Sequence, residues 1–231
     1  MFGSYEFGKS IAFDTVTIET YQDKRLFVYH RKSDTEVTKL LASVSPVVIT
    51  PIEPVTQPKE ITHYVMIELK NPLVLPPGKR VTYFVTFPLE VGVYVTVKGV
   101  VTPIDWFTLT NPKYTLYGTP DTGIICKWWE SSVYSKPPDV NPYLEGIMKV
   151  HLYNTTNSWV ELTRMVFDAR SMKIFYRRFA GMNAVVRVFT GGARTSFREK
   201  PIGDGMEKAV ELFTVRKIPL VKQEFVMEWG L

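Results

Sequence analysis

Cysteine occurs once and histidine three times in 231 residues, and those two scarcities exclude much before the rest is read. A single thiol, Cys126, leaves no intrachain disulfide framework and no cysteine-based zinc site; it is the pattern of a reducing compartment, so a cytoplasmic location is expected. His30, His63 and His151 stand far apart, and their spacing names no metal site. Long apolar runs are missing too. Nothing approaches the roughly 20 residues of a bilayer-spanning helix, and the start MFGSYEFGKS lacks the basic and apolar regions of a secretion signal, so a soluble, non-exported chain is expected. Asn154-Thr155-Thr156, formally a glycosylation acceptor, is accordingly read as a turn.

Catalytic patterns are equally sparse. Cys126 sits in GIICKWW, which reads as a buried strand, where a free thiol behaves as a small hydrophobe. Gly191-Gly192-Ala193-Arg194 and Gly203-Asp204-Gly205 have neither Walker nor Rossmann spacing and read as hairpin connections, although the first places Arg194 where it can meet an anion. No pair of carboxylates stands out. The expectation is a protein without cofactor or metal and without catalytic residues, the alternative being an enzyme whose site lies between two domains.

What the chain has is alternation. Eight of its 16 prolines fall between Pro46 and Pro88, leaving little room for helices. Val81, Tyr83, Val85 and Phe87 share one face of a two-residue period, as do Val91, Val93, Val95 and Val97. Further strands are predicted over Ile11 to Ile18, Arg25 to His30, Thr62 to Leu69, Phe107 to Leu116 with a break near Asn111-Pro112, and Gly123 to Glu130. The C-terminal half adds Met148 to Tyr153, Met172 to Arg177, Ala184 to Phe189 and a last alternating segment from Val221 to Trp229. One helix is predicted from Asp204, where capping-box spacing precedes Met206, Ala209, Val210 and Phe213 at helical intervals.

Short strands joined by Pro, Gly and Asn turns predict an all-β chain of two antiparallel β-sandwich domains, immunoglobulin-like, with at most one or two short helices. A weak echo between Val65-Met66-Ile67-Glu68-Leu69-Lys70-Asn71 and Met148-Lys149-Val150-His151-Leu152-Tyr153-Asn154 supports two units, and the turn-rich KYTLYGTPDTG sets their boundary near 111 to 120. Residues 1–111 carry 11 basic and 11 acidic side chains and 112–231 carry 17 and 12, so the second domain holds the whole net charge of +5. Nine of those cations lie between Arg164 and Lys200, against Asp168 and Glu199.

The stretch TLYGTPDTGIICKWWESSVY, followed by EGIMKVHLYNTTNSWVELTRMVFD, resembles an archaeal family described as domain of unknown function 432, and the likeness begins at MFGSYEFG. The resemblance implies an archaeal, intracellular protein and hands over no catalytic residue.

Two surfaces are left as candidates. Trp128 and Trp129 are adjacent, so in a strand they face opposite ways; one is free to stack a sugar or anchor a partner, unless the Pro137-Pro138 loop or the first domain covers it. If the strands around Lys149, Lys173 and Arg187 are neighbours, then Lys149, His151, Lys173, Arg177 and Arg187 line one sheet face with Tyr153, Phe175 and Phe189 between them. Such a face suits an acidic protein or a membrane surface, nucleic acid being the alternative; it is equally the make-up of a solvated face whose long stems cover apolar rings. Exposed sheet edges would also permit a homodimer.

Overall fold

A computed structural model describes residues 2–43, 45–55, 61–97, 100–212 and 224–230. The first strands are β1 (Gly3–Tyr5), β2 (Ser10–Phe13), β3 (Val16–Asp23), β4 (Leu26–Lys32), β5 (Val37–Leu41) and β6 (Val47–Ile52). Next come β7 (Tyr64–Leu75), β8 (Arg80–Pro88), β9 (Glu90–Val97), β10 (Val100–Phe107), β11 (Lys113–Tyr117) and β12 (Ile124–Ser131). The last are β13 (Glu145–Asn154), β14 (Val160–Asp168), β15 (Phe175–Tyr176), β16 (Ala180–Phe189), β17 (Gly192–Arg198), β18 (Glu207–Lys208) and β19 (Phe225–Met227).

The chain is all-β, and among the described residues a single 3-10 turn, Ala169–Ser171, is the one helical element. Four sheets form: a meander β2-β3-β4-β5, a second sheet β1-β6-β9-β10, a third β11-β12-β7-β14, and a seven-stranded sheet β18-β15-β16-β13-β8 in which β17 pairs with β16 and β19 with β17. Most ladders are antiparallel. Two are parallel, β12 with β7 and β13 with β16, because the chain leaves for another sheet before returning.

The alternation places the core where the period predicts. Tyr83, Val85 and Phe87 are buried on one side of β8, and Met148, Val150 and Leu152 on the same side of its partner β13. These inner faces meet the third sheet: Tyr83 Oη donates to Met165 Sδ at 3.3 Å, and Thr195 Oγ1 donates to the Val166 carbonyl. The meander meets the second sheet through Phe13 and Phe107, whose rings lie edge to face at 6.4 Å. One cluster of buried apolar side chains draws on all four sheets.

Three expectations change. Ile11 to Ile18 is not one strand but a hairpin, turning at Asp14-Thr15 with Asp14 at φ 48°, a conformation that aspartate tolerates better than most side chains. The helix at Asp204 does not form: Glu207–Lys208 is a strand paired with Phe175–Tyr176, and Ala209 N donates to the Ile174 carbonyl. Here a tertiary ladder outweighs the weak local preference for helix, while Phe213 lies outside the described residues. Strand pairing also crosses the expected boundary. β7 and β8 both precede residue 111; β7 lies between β12 and β14, and β8, at the end of its sheet, pairs with β13, so the third and seven-stranded sheets are each built from both halves of the chain.

Asn154 shows how a turn residue locks this arrangement. Buried to 2% exposure, it donates from Nδ2 to the carbonyls of Leu75, Pro76 and Ser158, and its Oδ1 accepts from Thr156 N and Oγ1. The Asn-Thr-Thr turn thereby ties β13 to the end of β7. Asn154→Ala removes all of these bonds and should lower unfolding stability by about 2–3 kcal/mol in denaturant titration.

Glu53 provides a second handle. It is 2% exposed and its Oε2 has no hydrogen-bond partner among the described residues, so burial pushes its carboxyl up to about 7 from an ordinary 4.5. The folded state therefore binds a proton that the unfolded state has lost. Glu53's contribution is fully present below about 4.5 and is lost as pH rises through about 7. Glu53→Gln should gain on the native protein by roughly 3 kcal/mol between pH 4.5 and pH 8 in urea titrations. Parallel pH profiles for the two proteins would refute this assignment.

Candidate functional site

The solvent face of the seven-stranded sheet follows from its register. Tyr153 on β13 lies opposite Arg80 on β8 and Arg187 on β16, and Arg187 lies opposite Arg194 on β17. One pair further along, His151 is flanked by Thr82 and Val185; beyond it, Lys149 is flanked by Phe84 and Asn183, and Asn183 by Arg198. The inner face of the same strands is filled by the core, so these residues project together to the other side.

Tyr153 is the centre of the group. The Arg80 guanidinium lies 5.9 Å and the Arg187 guanidinium 5.7 Å from its ring centroid, and Arg198 Nη2 donates to its hydroxyl at 3.1 Å. The other cations follow the same pattern: Lys149 Nζ lies 5.9 Å from the Phe84 ring and the Arg194 guanidinium 5.3 Å from that of Phe189. Ring quadrupoles thus hold side chains that would otherwise be mobile. Among the described residues the face has one ion pair, Arg187 Nη1 to Glu224 Oε1 at 3.7 Å.

His151 is a bonded member of the face. Asn183 Nδ2 donates to the carbonyls of Lys200 and Pro201, which turns its Oδ1 toward His151 Nε2 at 3.2 Å. Nε2 is therefore the protonated nitrogen of the neutral ring, and Nδ1 accepts from Thr82 Oγ1 at 3.1 Å. Burial lowers its pKa, and the nearby Arg198 and Lys149 charges lower it further.

Of the residues singled out in the sequence, the structure brings together Lys149, His151, Arg187 and Arg194. Lys173 and Arg177 lie elsewhere, because β15 is only two residues long and the chain around it is irregular. Lys173 Nζ is bound to Glu211 Oε1 at 2.8 Å in a half-closed site, and Arg177 lies beside Gly205 in a separate turn. Trp128 and Trp129 do face opposite ways, each with its indole nitrogen engaged: Trp128 donates to Glu68 Oε2 at 2.6 Å and Trp129 to Thr86 Oγ1 at 2.9 Å. The more exposed indoles are Trp159, at 67%, and Trp229, at 40%.

Arg198 and Arg80 were not among the residues singled out in the sequence, and Arg80 is the less legible of the two. It opens the alternating RVTYFVTF segment on the outward parity, but it lies in the electrically balanced half of the chain, and only the β8–β13 ladder carries it to the basic face. The remaining titratable candidates lie away from this face. Cys126 is wholly buried and burial pushes its thiol up to about 12, so it is not a nucleophile at neutral pH. The His63 ring centroid lies 4.1 Å from that of Tyr64 with the planes tilted by 40°, and His30 Nδ1 lies 3.7 Å from Glu19 Oε2. Among the described residues no three metal-ligating side chains converge, and no helix is long and apolar enough to cross a membrane.

No curated protein and no solved structure matches the chain. A family model does, and over nearly the whole length: the chain belongs to the family described as Protein of unknown function (DUF432), which matches residues 1–228.

Proposed function

We propose that the protein is a non-enzymatic binding module that docks an acidic protein surface on the outer face of β8, β13, β16 and β17. The observation that carries this reading is the placing of Arg80, Arg187 and Arg194 on the Tyr153 rung of the sheet, with Arg198 bonded to the Tyr153 hydroxyl, Lys149 further along the same outward face of β13, and Glu224 as the one paired carboxylate among the described residues. Four of the five cations are arginines, whose planar forks match carboxylates bidentately. The aromatic contacts and the Tyr153 hydroxyl hold several of them in place, which suits carboxylates fixed on a folded partner better than mobile lipid head groups. Single-stranded nucleic acid fits less well, since Tyr153 and Phe84 already carry cations over their rings and a stacking base would have to displace them. A single, buried, reduced thiol fits a cytoplasmic setting for such a module.

The test uses poly-L-glutamate, phosphatidylserine vesicles and single- and double-stranded oligonucleotides as probes at low salt. Wild-type protein should bind poly-L-glutamate, and Arg80→Glu/Arg187→Glu/Arg194→Glu should bind it at least about tenfold more weakly with an unchanged melting temperature. Binding to vesicles or oligonucleotides alone would overturn the acidic-protein reading. Equal binding by the variant would remove the face from the function.

The same probe reports on His151. Bound carboxylates favour its charged form, so its depressed pKa should rise when poly-L-glutamate binds, and affinity should strengthen reciprocally as pH falls through the His151 titration. Imidazole proton shifts followed by NMR provide the measurement, with His63, in the bend that precedes β7, as the reference that should not move.

A further inference from the structure

Three turns meet at one end of the meander: the Asp14-Thr15 hairpin, the Ser33–Thr35 connection between β4 and β5, and the segment that leaves β10 toward Pro112. They line an open cavity of about 350 Å³, within the size range of small-molecule sites and sharing no residue with the basic face.

Its inner wall contains Arg31, a cation only 6% exposed. Arg31 Nε donates to Asp105 Oδ2 at 2.6 Å, and Nη1 donates to Ser33 Oγ at 2.6 Å and to the Thr35 carbonyl at 3.3 Å. Asp105 is itself fixed, accepting from Tyr29 Oη at 2.8 Å and from Trp106 N at 2.9 Å. The guanidinium plane is therefore locked, with its carbon 5.1 Å from the centroid of the Phe107 ring. The two protons on Nη2 have no acceptor among the described residues. Nη2 is not one of the sealed, unpartnered polar atoms among the described residues; it opens onto the cavity, where an oxygen supplied by a ligand would complete the shell of a guanidinium whose other donors are already fixed.

The remaining lining sets the chemistry of that oxygen. Asp105 already balances Arg31, and Asp34 stands exposed at the mouth, so a full anion entering the cavity meets two carboxylates for one cation. Thr15 and Asn111 offer groups that both donate and accept, while Val16 and Leu109 offer apolar surface. Donors, acceptors and C–H faces near electrical balance are the complement of a neutral polyhydroxylated ring.

We propose that this cavity is a binding site for a neutral saccharide of one or two rings, held by acceptor oxygens on Arg31 Nη2. The site is distinct from Trp128 and Trp129, whose indole nitrogens are already engaged within the protein.

The experiment titrates isotope-labelled full-length protein with glucose, mannose, galactose and maltose, and separately with acetate and inorganic phosphate, following the Arg31 Nε–H and the Thr15 and Asn111 amide resonances. At least one sugar should shift all three groups saturably, and acetate and phosphate should not. Arg31→Lys keeps a cation beside Asp105 but removes Nη2; it should weaken the sugar response at least about tenfold. If that variant does not fold, Asn111→Ala, at an exposed rim position, is the second test and should weaken the response severalfold with an unchanged melting temperature. Absence of any sugar response, an equal response to acetate or phosphate, or sugar shifts unaffected in the folded variants would overturn the assignment.

Discussion

Lys127 and Glu90 form an ion pair sealed inside the protein, with Nζ 2.7 Å from Oε1 and side-chain exposures of 7% and 1%. Removing two charges from water costs several kcal/mol each, and their attraction offsets that only while the geometry is held closely. The pair therefore acts as a directional constraint. Lys127 lies on β12 in the third sheet, and Glu90 is the first residue of β9 in the second, immediately after the chain has left β8 and the seven-stranded sheet. One short span of backbone and one buried contact thus join three sheets. Apolar packing alone tolerates sliding and exchange of side chains; a charge pair of this kind does not, because losing either member removes a short contact between buried charges.

Arg31 and Asp105 perform the same service for the meander. Their contact at 2.6 Å, with Tyr29 completing the carboxylate, sets β4 against β10, and the Phe13–Phe107 edge contact packs beside it. Each junction that gives the molecule its four-sheet architecture is thereby specified by polar geometry as well as by buried area. The same property made the junctions illegible in the sequence. Arg31, Asp105, Lys127 and Glu90 look like ordinary surface charges within alternating strands, and nothing local tells a partner 74 residues away from water.

The strands themselves were legible because their sequences alternate; β13 shows the matching one-sided burial, whereas β9 and β16 are buried on both faces along most of their length. Pairing was not, because it is decided by which ladders close around the common core. Counting charges by halves of the chain consequently separated Arg80 from Arg187, although one tyrosine carries both, and joined Lys173 to a face from which Glu211 holds it apart. The failed helix at Asp204 has the same origin: its spacing was sound, but β15 needed an edge partner. Trp128 and Trp129 fared better, since adjacency alone dictates opposite faces, but hydrogen bonding of both indoles could not be read from it.

Two solvent-facing sheet surfaces of this chain can be compared directly. On the meander, Thr17, Glu19 and Tyr21 share a parity with Lys32, His30 and Val28, and there Glu19 meets both Lys32 at 3.1 Å and His30 at 3.7 Å. That is how a sheet face behaves when it needs only to be wet: opposite charges intermix and cancel. On the seven-stranded sheet, five cations share one outward face, Arg80, Arg187 and Arg194 on the Tyr153 rung and Lys149 and Arg198 on a second rung beyond His151, and Arg187 alone reaches a carboxylate among the described residues. Long stems could cover apolar rings equally well if some of them ended in glutamate, so covering the rings explains the length of these side chains and not their common sign. Like charges held this close repel one another, and tyrosine and phenylalanine faces moderate that repulsion without neutralising it. The free protein thus retains an electrostatic imbalance at this one face, which a surface rich in carboxylates would relieve.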